Sequence, residues 1–394
     1  MNSSNPEERG QNLPPSVERD AAVADVRLRS ASGRQVIDLR STLHGACVMA
    51  PMTKGSNLPY RRLCVEWGAR ITMSEMTVAR KLRQRRRGEF ALIRRAPDEP
   101  FFGVQLAGND PDEMGWAAEL VESRGADLVD VNLGCPIDHF TRMGLGAALA
   151  RHPNRVRRIV EAMKLRVRNI PVTVKFRLGW DDKTRNYLQV AAAAIDGGAD
   201  ALFVHGRTRQ ARYTKAADWD AIGEIAAAVR VPVVGNGDIL FQHELQAALA
   251  RSGCAGVMVA RGALIKPWIF REATEGDLHQ SPEDRLNMYR RYVTLAKDHW
   301  GEDEYGLSRV REFLLWHLGF WCRHVPRRQD GSYPSMQQRE STPPSEPLAA
   351  LLARTDEVAA SYLADALLSG SPVDPALPAP APAREMDDDA VEAG

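Results

Sequence analysis

The chain has 394 residues, with 52 Lys+Arg against 51 Asp+Glu, 44% hydrophobic and 26% charged residues, Gly 30 and Pro 24. This composition excludes collagen-like, membrane-spanning and wholly unfolded chains, and a chain of this size buries roughly three quarters of its surface on folding. The net charge of +1 averages unlike parts: residues 1 to 20 carry −2 and the stretch from Gly370 onward carries −5, which leaves +8 on residues 21 to 369.

Residues 1–40 are expected to be a mostly disordered extension. They hold no apolar run that could serve as a secretory signal, and no later stretch approaches the roughly 18 apolar residues of a membrane span, so a cytoplasmic protein is expected. Cys47, Cys64, Cys135, Cys254 and Cys322 are an odd set with no CxxC, which argues against a disulfide framework and a zinc ribbon; no metal site is expected.

From residue 43 to 275 short β-rich runs alternate with helical stretches. The runs are HGACVMAPM, ITMSEM, FFGVQLAG, LVDVNLGC, VTVKFRLG, ALFVHGR, VPVVGNGD and AGVMVARG, eight in all. Between them lie PYRRLCVEWG, DEMGWAAELVESRG, NRVRRIVEAMKLR, YLQVAAAAIDGG, DWDAIGEIAAAV and HELQAALARSG, several ending at Gly as helix C-termini do. Asp112 and Asn154, each after a proline, read as helix starts. The second crossover, residues 78–100, is charged and irregular and should depart from a simple helix. Continuous apolar runs such as VTVK and VPVV suit parallel strands covered on both faces. The pattern predicts a (β/α)8 TIM barrel over residues 41–278, with an open doubly wound sheet as the alternative. A small C-terminal helical domain follows over 279–369, with a loop at about 327–347 and LAALLARTDEVAASYLADALL as a final helix. Leu314, Trp316, Phe320 and Trp321 form the core stripe of that domain. Residues 370–394 read as an acidic, Pro/Ala-rich disordered tail.

A barrel brings all eight C-terminal strand ends to one face, so residues scattered over the chain share a site. VVGNGD and the Arg261-Gly262 turn follow the seventh and eighth strands, where barrels often hold phosphate. Arg261 offers a fixed fork of donors, and the glycines allow close backbone approach. Lys175 inside VTVKFRLG, His205 at the end of ALFVHGR and Gln105 ring the same face, the pattern for a polar heteroaromatic cofactor bearing phosphate, FMN. Cys135, in the Gly-Cys-Pro turn of NLGCP, is placed to donate a proton, and Asn132 could hold an amide-bearing substrate. Two basic regions remain, one from Arg80 to Arg95 and one in the helical domain from Arg285 to Arg328. Together they suggest a track for a phosphate backbone.

APMTKGSNLPYRRLC, VQLAGN, DVNLGCPIDHFTRMGLGAALA, VTVKFRLGW, HGRTRQARYT, VVGNGDI and VARGALIKPWIF, over residues 44 to 275, resemble the successive signatures of the tRNA-dihydrouridine synthases. The wording is similar to the branch, known from eukaryotes, that modifies the tRNA variable loop, although the first forty residues lack the cysteines of that branch's zinc-finger extension. The segment to about residue 325 resembles the family's RNA-binding domain. The resemblance implies an NADPH-dependent flavoenzyme that reduces a flipped-out uridine in tRNA, with Cys135 protonating C5 as general acid. It also implies that Met52, Gln105, Lys175, His205, Asn236, Asp238, Arg261 and Gly262 bind FMN, and that Asn132, Arg177 and Arg207 contact the uridine. A monomer is expected. The residues alone leave two alternatives open, a barrel flavin oxidoreductase acting on a free small molecule of the dihydroorotate type and a non-catalytic tRNA-binding protein.

Overall fold

The computed structural model describes residues 27–29, 35–328, 330–333 and 344–376. Most of the N-terminal extension, much of the loop at 327–347 and residues 377–394 of the acidic tail therefore lie outside the described residues. Arg27–Arg29 pairs antiparallel with Gln35–Ile37, and a short helix, Leu39–Leu43, leads into the main body.

Eight parallel strands close on themselves: β1 (Cys47–Met49), β2 (Ile71–Met73), β3 (Phe101–Ala107), β4 (Leu128–Leu133), β5 (Val172–Arg177), β6 (Ala201–His205), β7 (Val233–Asn236) and β8 (Gly256–Val259). Each pairs with the next, and β8 returns to β1 with Met258 opposite Val48. The expected (β/α)8 barrel is the fold, and all eight strand runs are its strands. Their apolar continuity follows from burial on both faces: Val129, Val131, Val172, Val174, Leu202 and Val204 are all buried. A two-residue strand, Thr77–Val78, extends the sheet beside Leu106 and Ala107 at the upper end of β3.

Helices α1 (Leu58–Glu66), α2 (Pro111–Ser123), α3 (Pro153–Arg166), α4 (Tyr187–Asp196), α5 (Trp219–Ala228) and α6 (Gln242–Ser252) cover the barrel. Asn57 caps α1 by accepting from the Tyr60 N–H at 2.9 Å, and Asp110 caps α2 by accepting from the Glu113 N–H at 2.9 Å. α2 and α3 begin one residue before Asp112 and Asn154, because proline suits the first helical position, where no N–H is needed. The charged second crossover does depart from a simple helix. It forms two short ones, Ala79–Arg83 and Arg87–Leu92, joined through Arg85 at φ 58°.

Beyond β8 come α7 (Arg261–Ile265), α8 (Pro282–Trp300) and α9 (Glu304–Trp321). Ser281 and Asp284 form a capping box at the start of α8. Leu314, Phe320 and Trp321 are buried as expected, whereas Trp316 is half-buried and reaches toward Gly55 of the barrel. The final helix expected over 348–368 is two helices, Pro347–Leu352 and α10 (Glu357–Ser369). Asp356 ends the continuity: its carboxylate accepts from the Ala359 N–H at 3.1 Å and pairs with Arg354 at 2.7 Å, which makes it a cap rather than an interior residue.

α8 packs on α1, and α9 on α7 and α10. Tyr60 of α1 donates its hydroxyl to the Ala263 carbonyl of α7 at 2.7 Å, and His317 Nε2 of α9 lies 3.2 Å from the Tyr60 hydroxyl oxygen. Burial pushes the His317 pKa down to about 3, so the ring is neutral. With the Tyr60 proton committed to Ala263, the His317 Nε2–H is the donor of that contact. No helix among the described residues is long and apolar enough to cross a membrane.

Candidate active site

Residues in register on neighbouring parallel strands point the same way, so pairing dictates who faces the barrel interior. Gln105 of β3 is opposite Asp130 of β4, Asn132 opposite Lys175 of β5, and Arg177 opposite His205 of β6; His205 is also opposite Asn236 of β7. The interior at the C-terminal ends of these strands is therefore polar. These strand ends open into one cavity at the barrel mouth.

That cavity brings together every residue that the sequence reading assigns to the cofactor, the uridine or catalysis. Met52, Gln105, Asn132, Cys135, Lys175, Arg177, His205, Arg207, Asn236, Asp238, Arg261 and Gly262 all line it. Met76, Tyr213 and Ile239 line it as well.

On the side formed by β6, β7 and β8, Asp238 organises the cations. The Arg207 guanidinium donates to both its oxygens at 2.6 and 2.7 Å, and Arg261 lies 3.3 Å away. Asp238 also accepts from the Ala217 N–H at 2.7 Å, and it stands at φ 54° directly after Gly237. A side chain at Gly237 would lie 2.5 Å from Ala217 and 3.4 Å from Arg207, so only glycine lets this turn close over the mouth. Tyr213 stacks beneath Arg261, with 3.7 Å between guanidinium carbon and ring centroid. His205 is held neutral: burial, then the charges of Arg177, Lys175, Arg207 and Arg261, drive its pKa well below the usual range.

The opposite side is built on β3, β4 and β5. Arg177 donates to the carbonyls of Gly134 and Thr208 at 3.0 and 3.1 Å, which ties the Gly134-Cys135 turn to the loop after β6. Asn132 accepts from the Gly134 and Cys135 N–H groups at 3.1 and 2.9 Å. Gly146, at φ 57°, sits against Cys135; a Cβ there would be 2.7 Å from its carbonyl oxygen. Cys135 is a half-buried thiol and is not in a disulfide. Among the described residues no group of three or more His, Cys, Asp or Glu side chains could hold a metal ion.

Asp130, Thr173, Tyr213 and Gly146 were not legible as site residues. Asp130 and Thr173 sit inside apolar strand runs, and only the alignment of three strands makes them neighbours of Gln105. The glycines of GLGAAL were a visible signal, and the structure gives Gly146 the role of seating the Cys135 turn.

A closed parallel barrel with amides and cations gathered at its C-terminal mouth defines the class, a TIM-barrel protein. Residues 48–325 match the family model described as Dihydrouridine synthase (Dus), and the chain belongs to that family. It is 41% identical over 321 residues to a tRNA-dihydrouridine(47) synthase [NAD(P)(+)] of Cryptococcus neoformans, covering 77% of this chain and 43% of that one. It is 40% identical over 306 residues to a human tRNA-dihydrouridine(47) synthase [NAD(P)(+)]-like protein, covering 76% and 46%. The chain thus spans less than half the length of these relatives. Among solved structures, a 2-naphthoyl-CoA reductase complex is similar at TM-score 0.46 and 12% identity, over 59% of this chain and 49% of that one.

Proposed function

We propose that this protein reduces the C5–C6 double bond of a uridine in tRNA to dihydrouridine, with NADPH as reductant and FMN as bound cofactor. The uridine is the one at position 47, in the variable loop, as the names of the two relatives state for those proteins. The observation that carries this reading is the cavity itself, where a thiol, three amides and a ring of cations converge at the end of a closed barrel.

Several features fit FMN. The N–H groups of Gly237, Asp238 and Gly262 make no hydrogen bond among the described residues, beside the Arg261 guanidinium, which suits a terminal phosphate. Met52, Gln105, Lys175, His205 and Asn236 surround the space where a planar ring would lie. When bound, the reduced flavin supplies a hydride to uridine C6.

The protein's own residues do the rest. Asn132, Arg177 and Arg207 hold the extruded base, and the walls of the mouth keep bulk water from the reacting face. Cys135 gives its thiol proton to C5, so that hydride and proton together complete the two-electron reduction; solvent at the rim then returns a proton to the thiolate. His205, neutral at physiological pH, orients by hydrogen bonding without adding charge. Outside the mouth, Arg83, Arg85, Arg86 and Arg87 are exposed on the crossover that follows the strand Thr77–Val78, which favours an RNA substrate over a free small molecule.

Nucleoside mass spectrometry of unmodified tRNA incubated with the FMN-loaded protein and NADPH tests the reading. Dihydrouridine is expected at position 47, and Cys135→Ala should keep flavin and tRNA binding while losing reduction. Reduction of free uridine or dihydroorotate-type substrates, with tRNA untouched, would replace the proposal by the small-molecule alternative.

A further inference from the structure

Asp130 has no side-chain exposure and lies one layer below the mouth, opposite Gln105 on one side and Thr173 on the other. Its two oxygens accept from Gln105 Nε2 and Thr173 Oγ1, each at 2.7 Å. Gln105 Oε1 in turn accepts from Asn132 Nδ2 at 2.7 Å, and Asn132 Oδ1 accepts from the Gly134 and Cys135 N–H groups. A continuous chain of hydrogen bonds thus runs from a buried carboxylate to the backbone of the thiol.

The direction of that chain is what matters. A primary amide has a donor end and an acceptor end of nearly equal shape, and only its partners decide which way it faces. An ionised carboxylate can only accept. It therefore forces the Gln105 NH2 toward itself and its oxygen toward Asn132, which forces the Asn132 NH2 toward Gln105 and its oxygen toward the Cys135 turn. The far end demands the same sense, because the two backbone N–H groups at Gly134 and Cys135 can only donate. Each amide also keeps one N–H outside the chain, so the two together offer donors to the carbonyl oxygens of a ring bound above them.

We propose that Asp130 is a positioning residue: its carboxylate fixes the orientation of the Gln105 and Asn132 amides and, through them, the backbone conformation that presents the Cys135 thiol. The catalytic meaning of that thiol rests on the function proposed above; the positioning itself does not. Burial outweighs the hydrogen bonds from Gln105 and Thr173 and the charge of Lys175, so the Asp130 pKa is raised to about 6; the two donors at 2.7 Å nonetheless fit a carboxylate that accepts on both oxygens at neutral pH. Gly146 supports the same point from outside the barrel, where the Ala147 N–H donates to the Cys135 carbonyl at 3.0 Å.

Asp130→Asn keeps the size and loses the polarity, since an amide at this position can either donate to or accept from Gln105. Asp130→Asn with Gln105→Glu moves the acceptor-only group one link along the chain. Asn at 130 then donates to Glu at 105, which still accepts from Asn132, and the far half of the chain is restored. The readout is the rate at which iodoacetamide alkylates Cys135 in the purified full chain, followed by peptide mass spectrometry, with buried Cys254 as internal reference. Asp130→Asn should speed alkylation of Cys135 by about fivefold, the worth of roughly one hydrogen bond, and leave Cys254 unchanged. The double variant should return the rate to within about twofold of the parent, a rescue that loss of packing alone does not produce. An unchanged rate in Asp130→Asn, or a double variant no closer to the parent, overturns the proposal. Should Asp130→Asn aggregate, Gln105→Leu cuts the middle link and must speed alkylation likewise; a parental rate there also overturns it. Uridine reduction by the parent protein, measured in parallel, separates the two ideas: no dihydrouridine together with the expected alkylation pattern would sink the activity and leave the positioning standing.

Discussion

The two basic regions are alike in sequence and unlike in the folded molecule. In the helical domain the cations are largely spent on structure. Arg285 is buried and donates to the Trp321 carbonyl at 2.8 Å, Arg290 pairs with Glu283 at 2.8 Å, Arg291 with Glu66 of the barrel at 3.0 Å, and Arg311 with Asp365 at 2.7 Å. Arg309 lies over Trp300 and Arg323 over Phe320. In the second crossover, Arg80 and Lys81 reach Glu113 and Glu89, but Arg83, Arg85, Arg86 and Arg87 are exposed and have no ion pair among the described residues. A count of charges therefore overstates what the helical domain can offer a polyanion, and the turn at 83–87 carries more of the available field than its share of the sequence suggests.

Substitutions can break or sharpen this contrast. The largest effect is expected from replacing Arg83, Arg85, Arg86 and Arg87 together by Ala: tRNA affinity should fall by about 100-fold, and the slope of log affinity against log salt should flatten by roughly three. Filter binding over a salt series measures both; a slope equal to the parent's would remove the turn from the interface. A smaller and different effect is expected for Arg290→Ala and Arg311→Ala. Each should lower unfolding free energy by about 0.5 kcal/mol in urea melts, the worth of an exposed ion pair, while tRNA affinity stays within about twofold. Loss of affinity beyond that would return the helical domain to equal standing. The smallest effect concerns the acidic residues after Gly370: removing residues 377–394 should strengthen non-specific RNA binding by about twofold at low salt, through loss of negative charge that competes for the same arginines. No change at low salt would discard that idea.

Much of the fold was legible because parallel strands buried on both faces advertise themselves as short apolar runs, and because the polar residue ending each run marks the mouth. Lys175 was conspicuous as an ammonium inside an apolar run, and His205 as the polar end of another. Asp130 was not, since LVDVNL reads as one more core strand, and its meaning depends on the register of β4 against β3 and β5. The break before α10 escaped for a related reason: the 348–368 run keeps helical periodicity across Thr355, and only the Asp356 side chain, folded back onto Ala359, turns that periodicity into two helices. Charge pairing is likewise a tertiary property. Nothing local distinguishes Arg311, which meets an aspartate 54 residues later, from Arg86, which meets none among the described residues.

The contact of Tyr60 with Ala263 and His317 has a consequence for how the chain assembles. Tyr60 follows the first strand and Ala263 the last, so their hydrogen bond lies across the seam where the barrel closes, joining segments about 200 residues apart, and α9 lies over that seam. Such a late, long-range closure is slow and leaves open strand edges until it forms. During synthesis the first strand must wait for the last, and the helices that cover their junction emerge later still. The helical domain is thus a latch as much as a surface: a chain ending near residue 280 would uncover Tyr60 and the faces of α1 and α7 that α8 and α9 cover, and is expected to aggregate rather than persist as a free barrel.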